Sequence, residues 1–200
     1  MRLKGVSVGF ALTGSHCTLD EVMTKIVTVK EEGAEIVPVV SYSVDQTDTR
    51  FGTADKWKTE LNRITGRQAI DSIVGAEPLG PQKMVDIFVI APCSGNTLAK
   101  LANAVSDTPV LMAAKAHLRN GKPLVLAVST NDGLGLNAKN IGVLLNAKNI
   151  YMVPFGQDNP MTKPNSLIAD MNKIVDTILL ALEGKQIQPV LITFKVGNGN

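Results

Sequence analysis

Blocks of apolar residues separated by short polar turns run through this chain and predict its elements. Residues 5–12 (Gly-Val-Ser-Val-Gly-Phe-Ala-Leu) make a first strand, apolar enough to be covered on both faces. Thr18 and Glu21 follow the polar turn 13–17 at capping-box spacing, so a helix starts at Thr18. Val22, Ile26 and Val29 carry its apolar stripe, and Gly33 ends it. The β-branched run 36–40 is a second strand, closed by Ser41-Tyr42-Ser43. A strand–turn–helix–strand unit implies parallel strands joined by a right-handed crossover.

From 44 to 51 the chain is polar and irregular, and 52–66 holds a helix on Trp57, Leu61 and Ile64, stopped by Thr65-Gly66. Residues 67–85 are the least periodic. The piece 70–74 reads equally as a helical turn or an edge strand, and a connection of this length marks a functional flap. Residues 87–90 are an unbroken apolar run, a central strand that Ala91-Pro92 ends, because Pro92 has no N–H for a ladder. After the turn Ser94-Gly95-Asn96-Thr97 a helix runs from Leu98, and Thr108-Pro109 starts another that ends at Asn120 before Gly121.

The run 124–128 is a further buried strand ending in Ser129-Thr130-Asn131-Asp132, and a glycine-containing loop leads to a helix over 139–146. A short last strand covers 150–153, a loop 154–164, and Asn165 or Ser166 caps a final helix through Leu182. Residues 188–195 form a β-type tail packed on a neighbour or an edge, with a frayed end at 197–200. The pattern predicts one α/β domain over 1–185, a three-layer doubly wound parallel sheet of flavodoxin or Rossmann type, and a C-terminal extended tail over 186–200.

Composition narrows the class. Two hundred residues, 44% of them hydrophobic, suffice for one full core. The net charge of +2, with Lys and Arg scattered, gives no basic stripe for nucleic acid. No apolar run approaches the ~20 residues of a membrane span, and the N-terminus lacks a small-residue cleavage site. Cys17 and Cys93 are too few for a disulfide framework or a cysteine zinc site. The expectation is a cytoplasmic protein without metal, nucleic-acid or membrane partners.

Three strand ends carry small hydroxyl and amide residues: Thr13-Gly14-Ser15, Ser94-Gly95-Asn96-Thr97 and Ser129-Thr130-Asn131. Parallel strands bring such ends to one edge of the sheet, where helix N-termini offer N–H groups and partial positive charge to a phosphate. Gly9 and Gly14 have Walker spacing, but His16 follows Ser15 where a lysine is needed, and no dinucleotide fingerprint is present. The second strand ends in Ser41-Tyr42-Ser43, without the acidic residue that binds an adenosine ribose. Small hydroxyls at several strand ends suit a phosphate monoester such as flavin mononucleotide (FMN).

The string Ala91-Pro92-Cys93-Ser94-Gly95-Asn96-Thr97, with Ser106-Asp107-Thr108, resembles the Pro-x-Ser-x-Asn-Thr signature of the flavoprotein family that includes the homo-oligomeric FMN-dependent cysteine decarboxylases. Gly14-Ser15 resembles that family's phosphate loop. The stretch from Lys122 to Asn131 resembles its Pro-Ala-Met-Asn strand end, with Ser129-Thr130 in place of Ala-Met. Further strings, among them Pro38-Val-Val-Ser-Tyr and Pro154-Phe-Gly-Gln-Asp, resemble a sporulation branch of the family. That resemblance implies one component of an enzyme oxidising dihydrodipicolinate to dipicolinate (pyridine-2,6-dicarboxylate), with NAD(P) on a partner, the A subunit. It further implies that Gly14, Ser15, Ser41 or Ser43 and Ser94 hold an FMN phosphate. Asn96 and Thr97 then bind the ribityl chain or the substrate, and Asn131 faces the flavin ring. The decarboxylases use a histidine beyond the second strand, and 41–90 contains none, so a cysteine decarboxylase is disfavoured.

His16, in the phosphate turn, reads equally as a proton donor beside the phosphate and as a locally bonded helix-start residue. His117 reads as a surface or helix-dipole residue and Cys93 as a small buried filler. Arg50 and Lys163, in the two irregular loops, are candidates to clamp the dicarboxylate. A non-catalytic assembly module and a stand-alone FMN-dependent decarboxylase are the alternatives to an oxidoreductase subunit.

Overall fold

A computed structural model describes residues 1–193 of the chain. Its centre is a seven-stranded sheet among the described residues. Strand β1 (Ser7–Leu12) pairs in parallel with β2 (Glu35–Val40) on one side and β3 (Ile87–Cys93) on the other. Beyond β3 lie β4 (Leu124–Thr130) and β5 (Ile150–Met152), also parallel, giving the order 2-1-3-4-5 of a flavodoxin-type sheet. The expected three-layer, doubly wound α/β fold is therefore formed. β3 is buried at every position, which is why it reads as a continuous apolar run.

Helix α1 (Leu19–Glu31) packs against α3 (Ala54–Thr65) and α8 (Ile174–Leu182). On the opposite face α5 (Gly95–Ala102), α6 (Pro109–Arg119) and α7 (Ala138–Leu145) form the second layer. Two short helices, α2 (Tyr42–Gln46) and α4 (Ile73–Ala76), occupy stretches that the pattern left irregular. Ile70 takes an edge-strand bridge to Val39 just before α4.

Four expectations are corrected. Thr18 makes no capping box: its hydroxyl donates to the Ser15 carbonyl at 2.8 Å, closing the 3-10 turn His16–Thr18 ahead of α1. Pro92 does not stop β3, because a register shift between Ile90 and Cys93 places it where no ladder N–H is needed. Helix α5 starts at Gly95, three residues early, since Ser94 caps it by accepting from the Thr97 N–H.

The largest correction lies at 154–169. A loop and a helix start are replaced by an antiparallel hairpin, β6 (Phe155–Asn159) and β7 (Lys163–Ala169). β7 also pairs antiparallel with the last two residues of β4, so the sheet is mixed. Ser166, Leu167 and Ala169 are buried here, and a helix would forfeit the ladder bonds that both strands make. The turn before α8 is capped instead by Asp170, whose carboxylate accepts from the Asn172 N–H at 3.0 Å.

After α8 the chain returns to the sheet. The Gln186 side chain bonds both backbone groups of Met152, and Val190 and Ile192 exchange hydrogen bonds with Phe155 of β6. The expected frayed end at 197–200 and the last residues of the extended tail lie outside the described residues.

Candidate functional site

The C-terminal ends of β1, β3 and β4 meet, and hydrogen bonds tie them together. Thr13 Oγ1, buried after β1, donates to the Pro92 carbonyl at 2.6 Å and accepts from the Ser94 N–H at 2.9 Å. Ser15 Oγ donates to the Ser129 carbonyl at 2.5 Å. The three polar turns thus converge as one layer, and Gly14 stands where two clefts adjoin.

One cleft, of about 340 Å³, is lined by Gly14, Ser41, Ser43, Ser94, Asn96 and Thr97, together with Tyr42, Lys100, Thr108 and Leu111. Ser41 is 8% exposed, and its hydroxyl has no partner among the described residues. A buried hydroxyl of this kind carries the desolvation cost of an unmade bond until something supplies its partner. Gly95 and Asn96 open α5, so their N–H groups have no carbonyl of that helix to reach, and the helix N-terminus adds partial positive charge. Lys100, one turn further on, ion-pairs with Asp107 at 2.7 Å. A Cβ at Gly14 would lie 2.8 Å from Ser43 Oγ, so the bare glycine is what lets the β2 turn approach the β1 turn. This donor set fits a phosphate monoester.

The second cleft, of about 380 Å³, is lined by Gly14, Ser15, His16, Ser129, Thr130, Asn131 and Lys163, with Cys17, Thr49, Phe51, Gly95, Asp158 and Ser166 among the remaining wall. His16 Nδ1 lies 2.9 Å from the Gly14 carbonyl. A carbonyl only accepts, so Nδ1 bears a proton, and in the neutral imidazole the lone pair falls on Nε2, which is buried and has no partner among the described residues. Lys163 ion-pairs across the hairpin with Asp158 at 2.8 Å, which raises the pKa of its ammonium. Arg50 lines neither cleft; its guanidinium sits 4.8 Å from the centre of the Phe51 ring, which does.

Beneath this wall lies a network that sequence reasoning missed. Thr130 Oγ1 donates to Asp132 at 2.5 Å, Asn137 Nδ2 reaches both carboxylate oxygens at 2.9 and 2.8 Å, and Asn140 donates to Asn137 at 2.8 Å. These bonds, Thr130 first, hold the Asp132 carboxyl below the usual carboxylate range. The carboxylate abuts Gly95, where a Cβ would overlap Thr130, Asn137 and Asp132, so only glycine fits at the start of α5. Spacing alone offered no signal for this network. Asp158 was equally hidden, because it reaches Lys163 only through the unforeseen hairpin.

Two other residues fall outside the site. Cys93 is buried, and that burial pushes its thiol pKa far up, so it is inert filler as expected. His117 is not a surface residue: it is 2% exposed, donates from Nε2 to the Pro123 carbonyl at 2.9 Å and lies beside Phe88. No group of His, Cys, Asp and Glu suited to a metal ion occurs among the described residues, and no helix there is long and apolar enough to cross a membrane.

Comparison with known proteins agrees with this architecture. The Flavoprotein family model matches residues 2–183. The dipicolinate synthase B subunit of Bacillus subtilis (strain 168) is 53% identical over 196 residues, 98% of each chain. The crystal structure of the dipicolinate synthase B subunit from Bacillus halodurans C superposes with a TM-score of 0.89 at 53% identity, covering 96% of this chain and 99% of that one. The FMN-dependent cysteine decarboxylase SpaF shares the fold, with a TM-score of 0.64 at 17% identity over 90% of this chain and 99% of its own. The chain belongs to the flavoprotein family, within which it is similar along almost its whole length to the B subunits of dipicolinate synthase.

Proposed function

We propose that this chain is an oxidoreductase subunit that works with the A subunit of dipicolinate synthase in oxidising dihydrodipicolinate to dipicolinate in the mother cell of a sporulating bacterium. The observation that carries the reading is the 53% identity over 98% of the chain to a dipicolinate synthase B subunit. NAD(P), expected on the A subunit, supplies the hydride acceptor.

The cleft at Ser41 takes a phosphate monoester, with FMN as its expected bearer. Ser41, Ser43, Ser94 and the N–H groups of Gly95 and Asn96 donate to the phosphate, Thr97 and Asn96 adjoin the sugar chain, and Gly14 lets the ligand cross toward Ser129, Thr130 and Asn131. When bound, FMN supplies a ring that takes up a hydride or single electrons. Ser15, whose proton is spent on Ser129, holds the turns together rather than donating to the phosphate.

The cleft at His16 takes the dicarboxylate. Lys163 exchanges Asp158 for a substrate carboxylate, Arg50, stacked on Phe51 outside the cleft lining, swings in to the second carboxylate, and His16 Nε2 accepts the proton the ring gives up. Exposed Leu134, Leu136 and Val143 on the loop and helix beyond β4 suit a homo-oligomer.

A non-catalytic assembly module is the second reading, favoured by Ser15 and Thr130 turning their hydroxyl protons into the wall. Dihydrodipicolinate supplied to each subunit singly and to the mixture separates the two, with the pocket variant Ser41→Ala alongside. Dipicolinate forming only in the mixture, with rate lost in the variant, supports the catalytic reading. A mixture no faster than the A subunit on its own overturns it, and full activity in the variant supports the assembly role.

A further inference from the structure

The two adjoining clefts differ in hydrogen-bond polarity. At Ser41 the wall offers donors: an unpartnered hydroxyl, the first N–H groups of α5 and the Asn96 amide. At His16 three side chains of the wall turn protons inward, while Lys163 and the Asn131 amide remain as donors. Ser15 gives its hydroxyl proton to the Ser129 carbonyl at 2.5 Å, Thr130 gives its own to Asp132 at 2.5 Å, and His16 gives its Nδ1 proton to the Gly14 carbonyl at 2.9 Å. What these side chains keep for a ligand is acceptor capacity: Ser15 Oγ, Thr130 Oγ1, which also accepts from the Asp132 N–H at 3.5 Å, and, in the neutral imidazole, His16 Nε2.

Neither hydroxyl is free to reverse. Ser15 and Thr130 each face a fixed acceptor that would lose a hydrogen bond, a carbonyl in one case and, in the other, a carboxylate that would keep only Asn137. Asp132 is itself pinned by both of its oxygens to Asn137, and Asn137 by Asn140, so the orientation of Thr130 is set three residues deep. Asn137 and Asn140 are both buried, which makes an amide flip costly.

We infer that the His16 cleft selects a heterocyclic dicarboxylate whose ring nitrogen bears a proton over one whose ring nitrogen bears a lone pair. The inference rests on the assignment of that cleft to the substrate. A dihydropyridine ring in its enamine tautomer carries an N–H, and the aromatic pyridine product does not. These acceptors therefore favour the reduced ring over the oxidised one, while Lys163 takes a carboxylate common to both. Asp132 acts as a positioning residue, since it fixes the polarity of Thr130 without lining the cleft.

The test is calorimetric titration of the full chain, without added flavin, using two probes that share both carboxylates. Dipicolinate has a bare ring nitrogen; 4-oxo-1,4-dihydropyridine-2,6-dicarboxylate has a ring N–H. The wild type is expected to bind the N–H probe about tenfold more tightly, the worth of one hydrogen bond correctly or wrongly paired. Thr130→Val removes one acceptor without changing shape, and His16→Ala removes another; each brings the ratio toward one. Equal affinities in the wild type, or a ratio that survives in both variants, overturn the inference and leave the substrate assignment standing. Binding of neither probe overturns the assignment and the inference together.

Discussion

Ser15 Oγ lies 2.5 Å from the carbonyl oxygen of Ser129, a residue 114 positions away, and this bond closes the β1 turn onto the end of β4. It joins the two sides of the His16 cleft and makes Ser15 a strut. Ser15→Ala should therefore destabilise the fold by about 1 kcal/mol, the worth of one bond plus an orphaned acceptor. Phosphate binding in the neighbouring cleft should be spared. Urea midpoints and FMN titration of the same protein check both halves, and a tenfold loss of FMN affinity would return Ser15 to the phosphate.

Ser41 is expected to behave in the opposite way. Its hydroxyl is buried and has no partner among the described residues, so removing it leaves none of them unpaired. Ser41→Ala should leave thermal stability unchanged or slightly raised, yet weaken FMN binding about tenfold. Melting curves with and without FMN decide this: the ligand-induced rise in Tm should shrink in the variant while the baseline Tm does not fall.

The same contrast explains what the sequence could and could not disclose. The five parallel strands were legible because each is a short apolar run between turn residues, and β3 is the clearest of them. The convergence of the Thr13, Ser94 and Ser129 turns followed from parallel topology alone. The hairpin at 155–169 was not legible, because Lys-Pro-Asn-Ser ahead of Leu-Ile-Ala carries the local signals of a helix start. Its strand pairing is decided by the open edge of β4, a tertiary fact that local spacing does not contain. Asp158 and the Asp132–Asn137–Asn140 network were hidden for the same reason, as was the buried setting of His117.

Gly9 in β1 is a packing glycine. The ring of Phe88, fully buried on the neighbouring β3, lies where a Cβ would project, and Val85 crowds the same space. Both neighbours are buried in the core and have no open space to retreat into. Gly9→Ala should cost about 1–3 kcal/mol as an overpacked core does. Gly9→Ala combined with Phe88→Leu should recover part of that loss, which equilibrium denaturation would show as a non-additive pair.

His117 makes stability depend on pH. Burial lowers its pKa to about 4, opposed by its hydrogen bond to the Pro123 carbonyl, reinforced by the charge of Lys122 and opposed again by Asp86. The unfolded chain takes up this proton near pH 6.5, the folded chain only near pH 4. Between those values the unfolded state binds more protons, so stability falls as pH drops through the window and is fully present above it. The loss reaches about 3 kcal/mol at pH 4. His117→Gln keeps a donor for Pro123 and removes the titration. Wild-type stability should therefore fall more steeply than that of the variant between pH 6.5 and 4, and the two curves should run parallel from pH 7 to 9. Parallel curves across the acid window as well would mean that His117 is protonated inside the fold.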